Sequence, residues 1–153
     1  MAESPFVHLH CHTDYSLLDG ACDIKKLMAI VESHRMPAVA MTDHGNLFGA
    51  VEFYNEAAKK GIHPVIGCEV YVSQQGHKRR SESDRYNHLV LLCENQEGYK
   101  NLIDLVSTGY LDGFYYKPRI DKDLLAQHAR GLIGMSACLR GDINETILAG
   151  RYE

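Results

Sequence analysis

The sequence has no low-complexity tract and no internal repeat, so repeat arrays and domains joined by long linkers are not expected. It has no run approaching the roughly 20 apolar residues of a membrane-spanning helix, which excludes a membrane span. With a net charge of −4, it lacks the overall basic field that attracts nucleic acid. A hydrophobic content of 45% in 153 residues excludes disordered and collagen-like classes and predicts a single domain.

Cysteine pairs and a targeting segment are also missing. The five cysteines are an odd number and include no Cys-x-x-Cys pair, so no disulfide framework is expected. Residues 1–5 have no basic region, and no apolar run precedes a small-residue cleavage site, so no secretory signal is expected. Both features predict a cytoplasmic protein.

Short apolar strands alternate with amphipathic helices along the chain, which favours an α/β fold with mostly parallel strands. The predicted strands are residues 6–10, 38–42, 64–72, 89–93 and 132–135. The predicted helices start after the capping residues Asp23, Asn95 and Asp121, and at about residues 49 and 142. Five strands are too few to close a (β/α) barrel, so the chain is either a smaller open sheet or the front part of a barrel.

What the sequence does have is nine histidines, and some of them are organised. His10 and His12 are two residues apart in a predicted strand, so their imidazoles point to the same face and can reach one metal ion. His8 extends that face, where a structural role is favoured. His34, His63, His77 and His128 have no partner pattern.

Two further candidates involve carboxylates. Thr42-Asp43-His44-Gly45 follows a buried strand at the position where α/β barrels place their chemistry. Asp43 is interpreted as a ligand, as the residue that orients a neighbouring imidazole, or as a helix cap. Glu69 lies in an apolar strand, where an ionised carboxylate needs a metal or a cation. The alternative for Glu69 is an outward-facing residue on an edge strand.

His88, Cys138 and Asp19 are less distinctive individually. His88 opens its predicted strand, so it joins the other candidates only if that strand runs antiparallel or if residues 86–88 lie outside the regular barrel. Cys138 follows the last predicted strand and by itself favours core packing. Asp19, before Gly20, is typical of a turn.

Together these positions resemble the motifs of the PHP (polymerase and histidinol phosphatase) superfamily: His10-x-His12, Thr42 to Gly45, Glu69 in a strand, and His88. Longer stretches are similar to a narrower family, the alpha subunits of bacterial replicative DNA polymerase III. These stretches are residues 6–20, 42–54 (TDHGNLFGAVEFY), 98–102 and 113–121. The similarity runs from end to end.

The resemblance implies an α/β fold of the PHP type, a distorted (β/α)7 barrel, with residues 1–153 as an N-terminal portion of the PHP domain. The family's last metal motif, an Asp-x-His, has no counterpart before Glu153, so two of nine ligands and the last strands are expected to be missing. Glu69 is implied as the bridging carboxylate. The metal ligands implied in this sequence are His10, His12, Asp19, His44, Glu69, His88 and Cys138.

The resemblance also implies a role in DNA replication, in a polymerase subunit whose PHP domain is a metal-dependent 3′→5′ proofreading exonuclease. Histidine, carboxylate and cysteine ligands suit a cluster of Zn²⁺, Mn²⁺ or Fe²⁺ better than Mg²⁺. The implied partners are a DNA 3′ end and the other subunits of the polymerase holoenzyme. Two alternatives are a non-catalytic scaffold and a small-molecule phosphoesterase of the histidinol phosphatase type. For the isolated chain, partial or no metal binding is expected.

Five basic residues each have two possible roles. Lys78-Arg79-Arg80 lies in a polar segment, residues 73–85, and is interpreted as a solvated loop or as a contact to a nucleic-acid backbone. Lys117 and Arg119 are candidates for phosphate contact near the site, with surface ion pairing as the alternative.

Overall fold

The computed structural model describes residues 6–17 and 19–151. Residues 1–5, on which the prediction about a secretory signal rests, lie outside the described residues. The described part contains five strands: β1 Ala38–Met41, β2 His63–Ser73, β3 Tyr86–Cys93, β4 Arg119–Asp121 and β5 Leu132–Met135. Its helices are α1 Ile24–Ser33, α2 Ala50–Lys59, α3 Gln96–Leu111, α4 Lys122–Gln127 and α5 Asp142–Leu148. The predicted α/β class is confirmed.

The helix starts follow from local chemistry. The side chains of Asp23, Asn95 and Asp121 each accept a hydrogen bond from a backbone N–H in the first turn of α1, α3 and α4. These bonds satisfy donors that have no partner inside the helix. The three predicted caps are therefore confirmed. Gly61 follows α2 with a φ of 66°, a conformation that glycine adopts without strain.

The sheet is mixed, but four of the five described strands run in the same direction and only β3 is reversed, so the prediction of mostly parallel strands is confirmed. Its order is β1-β2-β3-β5, and β4 pairs with β2. β1 and β4 run parallel to β2, whereas β3 is antiparallel to both β2 and β5. Because β3 already occupies one edge of β2 over residues 67–73, β4 must lie on the other edge, the one that β1 borders further back.

The predicted first strand is wrong as an element. Residues 6–10 form one isolated parallel bridge, between His8 and Val39, and no continuous ladder. The segment nevertheless runs beside β1, because Ala40 donates its N–H to the His8 carbonyl and Thr42 donates to the Cys11 carbonyl, both at 2.8 Å. Hydrogen bonds to single residues hold this segment in place without making it a strand.

Two apolar clusters pack the helices against the sheet. In one, Met28 and Val31 of α1 and Phe53 of α2 pack with β1. In the other, Leu102 and Leu105 of α3 pack against the buried residues of β2, β3 and β4. Every one of these five side chains is nearly or fully buried, so the cores fix the strands that carry the site. In the described residues, no helix is long and apolar enough to cross a membrane.

Candidate metal centre

Glu69 lies on the central strand β2, and its side chain is only 1% exposed. The alternative of an outward-facing residue on an edge strand is therefore wrong. Strand pairing brings His44 beside Glu69. The pairing of β1 with β2 ends at Met41 and Ile66, and after two unpaired residues the same register resumes as a single bridge between His44 and Glu69. Two backbone hydrogen bonds close this bridge, from the N–H of Gly45 to the Glu69 carbonyl at 2.9 Å and from the Glu69 N–H to the Asp43 carbonyl at 3.0 Å.

His88 reaches Glu69 from β3, which pairs with the edge of β2 opposite to that of β1. β3 begins at Tyr86, three residues earlier than predicted, so His88 lies within the strand. In the antiparallel register His88 is opposite Tyr71, and residues directly opposite share a face of the sheet. Tyr71 is two residues from Glu69 and shares its face as well. The antiparallel direction of β3 therefore resolves the position of His88, whose Nδ1 lies 2.5 Å from Glu69 Oε1.

The segment before α1 supplies His10 and His12, and the buried carboxylate of Asp43 anchors it. Asp43 accepts hydrogen bonds from the N–H of Thr13 at 2.6 Å and from the hydroxyls of Thr13 and Ser16, both at 2.7 Å. Ser16 in turn accepts the N–H of His44 at 3.1 Å. Asp43 thus acts neither as a helix cap nor as an imidazole partner, because its oxygens bind the loop that carries the first two histidines.

The two oxygens of Glu69 face two different groups of imidazoles. Oε2 lies 2.5 Å from Nε2 of His10 and 3.3 Å from Nε2 of His12. Oε1 lies 2.5 Å from Nδ1 of His88 and 3.8 Å from Nδ1 of His44. Each group places three potential ligand atoms within 4.8 Å of one another. One buried carboxylate therefore joins two candidate metal sites, which we call the His10 group (His10, His12, Glu69) and the His88 group (His44, His88, Glu69).

Glu69 remains ionised despite its position. Burial alone raises the pKa of a carboxyl group, but hydrogen bonds from His12, His88 and His10 outweigh burial and hold the pKa of Glu69 far below its usual range. The hydrogen bond to Glu69 raises the pKa of His12. Burial lowers the pKa of His44, and the nearby charge of His12 adds to that effect. His44 therefore favours the neutral imidazole, the form that ligates metals.

Asp19 and Cys138 contact the edge of this cluster, each through one imidazole. Asp19 Oδ2 lies 3.0 Å from His44 Nε2, and the Asp19 side chain is mostly exposed. The Cys138 sulfur lies 3.6 Å from His88 Nδ1, so Cys138 is exposed beside the site and not a core residue. The preceding residue, Ala137, has a φ of 58°, which is unusual for a side chain with a Cβ. The structure thus brings all seven sequence-predicted positions together.

The residues present fit a divalent transition metal. Within the described ranges, three buried imidazole nitrogens have no hydrogen-bond partner: His12 Nδ1, His44 Nδ1 and His88 Nε2. A buried polar atom without a partner is costly and calls for an explanation such as an ion. Of the three, His44 Nδ1 is the one that faces Glu69, since His12 and His88 face it with their other ring nitrogen. The donors are imidazole nitrogens around a shared carboxylate, a set typical of zinc, manganese or iron sites and not of magnesium sites.

Sequence reasoning missed the neighbours of the cluster. The ring of Tyr71 lies 5.1 Å from the ring of His88 and 6.2 Å from that of His44, measured between centroids. Its position two residues from Glu69 in a strand is the signal that indicates a shared face. The role of Thr13 and Ser16 had no such signal, because they bond to Asp43 across about 30 residues of chain.

Arg119 is not available to a phosphate, and that prediction is wrong. Its side chain is 1% exposed and forms an ion pair with the buried carboxylate of Asp84. Its guanidinium also donates to the carbonyls of Gly113, His77 and Arg79. Arg119 therefore holds the two flanking loops together. Lys78, Arg79 and Arg80 are exposed as predicted, and Lys78 pairs with Asp112 at 3.1 Å.

The fold and the histidine–carboxylate cluster define a class of protein. The chain belongs to the PHP domain family, whose sequence model matches residues 8–153. The resemblance found in the motifs is thereby confirmed, and so is the fold class that it implies.

Curated relatives give a narrower comparison. The chain is 51% identical over 146 residues to DNA polymerase III subunit alpha of Chlamydia trachomatis. It is 50% identical over 153 residues to the subunit of Borreliella burgdorferi and 49% identical over 154 residues to that of Thermus aquaticus. These alignments cover 94%, 98% and 97% of this chain. The chain spans 12% of the length of the first relative and 13% of the other two.

Among solved structures, the chain is similar to an amidohydrolase from Chromobacterium violaceum with bound SO4. It is 24% identical, covers 67% of this chain and 32% of its own, and has a TM-score of 0.49.

Proposed function

We propose that residues 1–153 are an N-terminal portion of the PHP domain in a bacterial replicative DNA polymerase III alpha subunit, which acts in DNA replication in the cytoplasm. Identity of about 50% over nearly the whole chain to such subunits from several bacteria supports this. The proposed partners are a DNA 3′ end and the other subunits of the polymerase holoenzyme. The last strands and the Asp-x-His motif of the domain belong to a following part of the protein.

The domain holds a cluster of divalent ions, zinc or manganese, with iron as a third option. The observation that carries this proposal is the placement of Glu69, a buried, ionised carboxylate whose two oxygens each face a pair of imidazoles. Glu69 is the bridging ligand, and Asp19 and Cys138 are further ligands at the edge of the cluster. The proposed ligands are His10, His12, Asp19, His44, Glu69, His88 and Cys138.

The reaction is hydrolysis of a phosphodiester bond, used as 3′→5′ proofreading. Bound ions of this kind supply a hydroxide nucleophile near neutral pH and neutralise charge on phosphate oxygens. The protein contributes positioning: Glu69 keeps its charge, and the hydrogen bonds of Asp43 hold the segment with His10 and His12 against β1. The seven positions together are the observation that favours an active site over a scaffold that has lost its ligands.

The test uses the full-length protein that contains this chain and a primer with a mismatched 3′ nucleotide. Glu69→Gln and His10→Ala are expected to lower metal-dependent removal of the mismatch by about 100-fold or more. Extension of a matched primer is expected to remain. His63→Ala is the control, since His63 is an exposed histidine at the start of β2, six residues before Glu69.

Each alternative has its own outcome. If the wild-type protein removes the mismatch no faster after metal is added, and metal content is low, the scaffold is the correct reading. If the wild-type protein hydrolyses phosphomonoesters and leaves the 3′ end intact, the small-molecule phosphoesterase is correct. Unchanged mismatch removal in Glu69→Gln overturns the site assignment.

A further inference from the structure

Lys117 is a half-buried cation over the ring of Tyr71. Its ammonium nitrogen lies 5.4 Å from the centroid of that ring. Within residues 6–17 and 19–151, no carboxylate lies within ion-pair distance of Lys117. Lys59, Lys60, Lys78 and Lys122 each pair with an acidic side chain. The other described lysines without an ion pair, Lys25, Lys26 and Lys100, are exposed, whereas Lys117 is half-buried. The charge of Lys117 is therefore not neutralised by a protein group.

The ring of Tyr71 connects Lys117 to the metal centre. The same ring packs edge-on against His88 and lies nearly parallel to His44, the two imidazoles of the His88 group. Lys117 thus stands one aromatic ring away from the imidazoles. A metal cluster and an ammonium group repel each other, and an anion between them turns that repulsion into attraction on both sides.

The backbone around Lys117 is built to hold this position. Tyr116 has a φ of 60°, in the left-handed region that a side chain disfavours. The Tyr115 N–H donates to the Lys117 carbonyl at 3.1 Å, which closes a tight turn around Tyr116. Pro118 packs so closely on Gly45 that a Cβ there would lie 2.8 Å from Pro118 Cγ. Strain of this kind persists where the surrounding structure fixes a functional conformation.

We propose that Lys117 is a positioning residue that binds a non-bridging oxygen of the phosphate held at the metal centre. The inference rests on the proposed function, because it assumes a phosphoester substrate at that centre. An ammonium group donates up to three hydrogen bonds and carries a compact charge, which suits a phosphate oxygen. The ring of Tyr71 lies beneath the ammonium group of Lys117. The residue performs no chemistry of its own.

The test compares Lys117→Met, Lys117→Arg and Lys78→Met in the full-length protein. Lys78→Met is the matched control, because it removes one lysine charge from an exposed loop residue that pairs with Asp112. Inorganic phosphate is titrated into each protein by calorimetry, and metal content is measured in parallel. Hydrolysis of bis(p-nitrophenyl) phosphate gives kcat and KM separately.

Lys117→Met is expected to weaken phosphate binding and raise KM by about tenfold, the usual effect of losing a charge-assisted hydrogen bond. Metal content is expected to stay at the wild-type level, Lys117→Arg to recover most of the affinity, and Lys78→Met to match the wild type. Equal phosphate affinity in Lys117→Met and wild type overturns the proposal, and so does loss of metal in Lys117→Met. If the wild-type protein hydrolyses no phosphodiester, the proposed function fails, whereas the phosphate titration still decides the role of Lys117.

Discussion

His44 lies opposite Glu69 in the parallel register that β1 and β2 establish before it, even though β1 itself ends at Met41. The pairing skips Thr42 and Asp43 and resumes for one bridge. Asp43 uses this gap to bind the preceding segment through Thr13 and Ser16. The residues at this interruption therefore place His44 beside the buried carboxylate and anchor the loop that carries His10 and His12.

The first prediction concerns Asp43, which organises the site without being one of the proposed ligands. Asp43→Ala leaves the N–H of Thr13 and two hydroxyls without their acceptor in a buried place. The free energy of unfolding is expected to fall by about 2–3 kcal/mol. Metal affinity is expected to fall with it, since His10 and His12 lose their anchor. Urea unfolding and metal titration measure the two effects.

Asp14→Ala is the control for Asp43, because Asp14 is exposed in the same segment. It is expected to leave both quantities near their wild-type values. Equal loss of stability in the two variants would contradict the anchoring role of Asp43.

The second prediction uses two glycines with the same backbone conformation. Gly45 has a φ of 64° and Gly61 a φ of 66°. An added Cβ at Gly61 meets nothing within 4 Å, whereas at Gly45 it would lie 2.8 Å from Pro118 Cγ and 3.0 Å from Tyr71 Cε2. Gly61→Ala is expected to cost about 1 kcal/mol from the left-handed backbone alone. Gly45→Ala is expected to cost about 1–3 kcal/mol more, because the side chain overpacks its surroundings.

Urea unfolding gives the free energy of unfolding of both glycine variants. The difference between the two values measures the cost of the close approach of Pro118 and Tyr71 to residue 45. The added Cβ in Gly45→Ala is expected to displace Pro118 and, with it, the adjacent Lys117. Phosphate binding is therefore expected to weaken in Gly45→Ala and not in Gly61→Ala. Equal unfolding free energies for the two variants would show that Pro118 and Tyr71 do not pack on Gly45 as described.

The third prediction concerns acid pH and Asp121, away from the metal centre. Burial raises the pKa of Asp121, but hydrogen bonds from the N–H groups of His77 and Leu124 and from the His77 ring outweigh it, so the pKa is lowered overall. A lowered pKa means that the carboxylate stabilises the fold fully above the unfolded-state value, usually about 3.9, and that this contribution is lost as the pH falls through the folded value.

Asp121→Asn is therefore expected to be less stable than wild type at pH 5, with the difference shrinking as the pH falls below 4. Urea unfolding at several pH values between 5 and 2.5 measures this convergence. A difference that stays constant over that range would mean that the Asp121 charge does not stabilise the fold.

Some of the candidate ligands could be found from local patterns in the sequence, whereas Asp19, His88 and Cys138 were implied only by the family resemblance. Two-residue spacing places His10 with His12, and a carboxylate in an apolar run identifies Glu69 as a buried charge. The caps Asp23, Asn95 and Asp121 were predictable for the same reason, since a cap bonds to residues two or three positions away.

The parts that were not predicted depend on distant pairing. β4 has three residues, too few for a periodic pattern, and it forms because Tyr71 to Ser73 of β2 offer an open edge. The direction of β3 is set by its register with β2 and not by its own composition. The burial of Arg119 depends on Asp84, which is 35 residues away and was indistinguishable from other loop residues.

The central claim is that Glu69 joins two metal groups, and the metal content of the full-length protein tests it most directly. Zinc, manganese and iron are quantified by mass spectrometry in the wild type, Glu69→Gln, the His10→Ala/His12→Ala double variant and the His44→Ala/His88→Ala double variant. The account predicts that each double variant loses part of the wild-type metal. It also predicts that Glu69→Gln loses at least as much metal as the sum of the losses in the two double variants. Wild-type metal content in Glu69→Gln would contradict it.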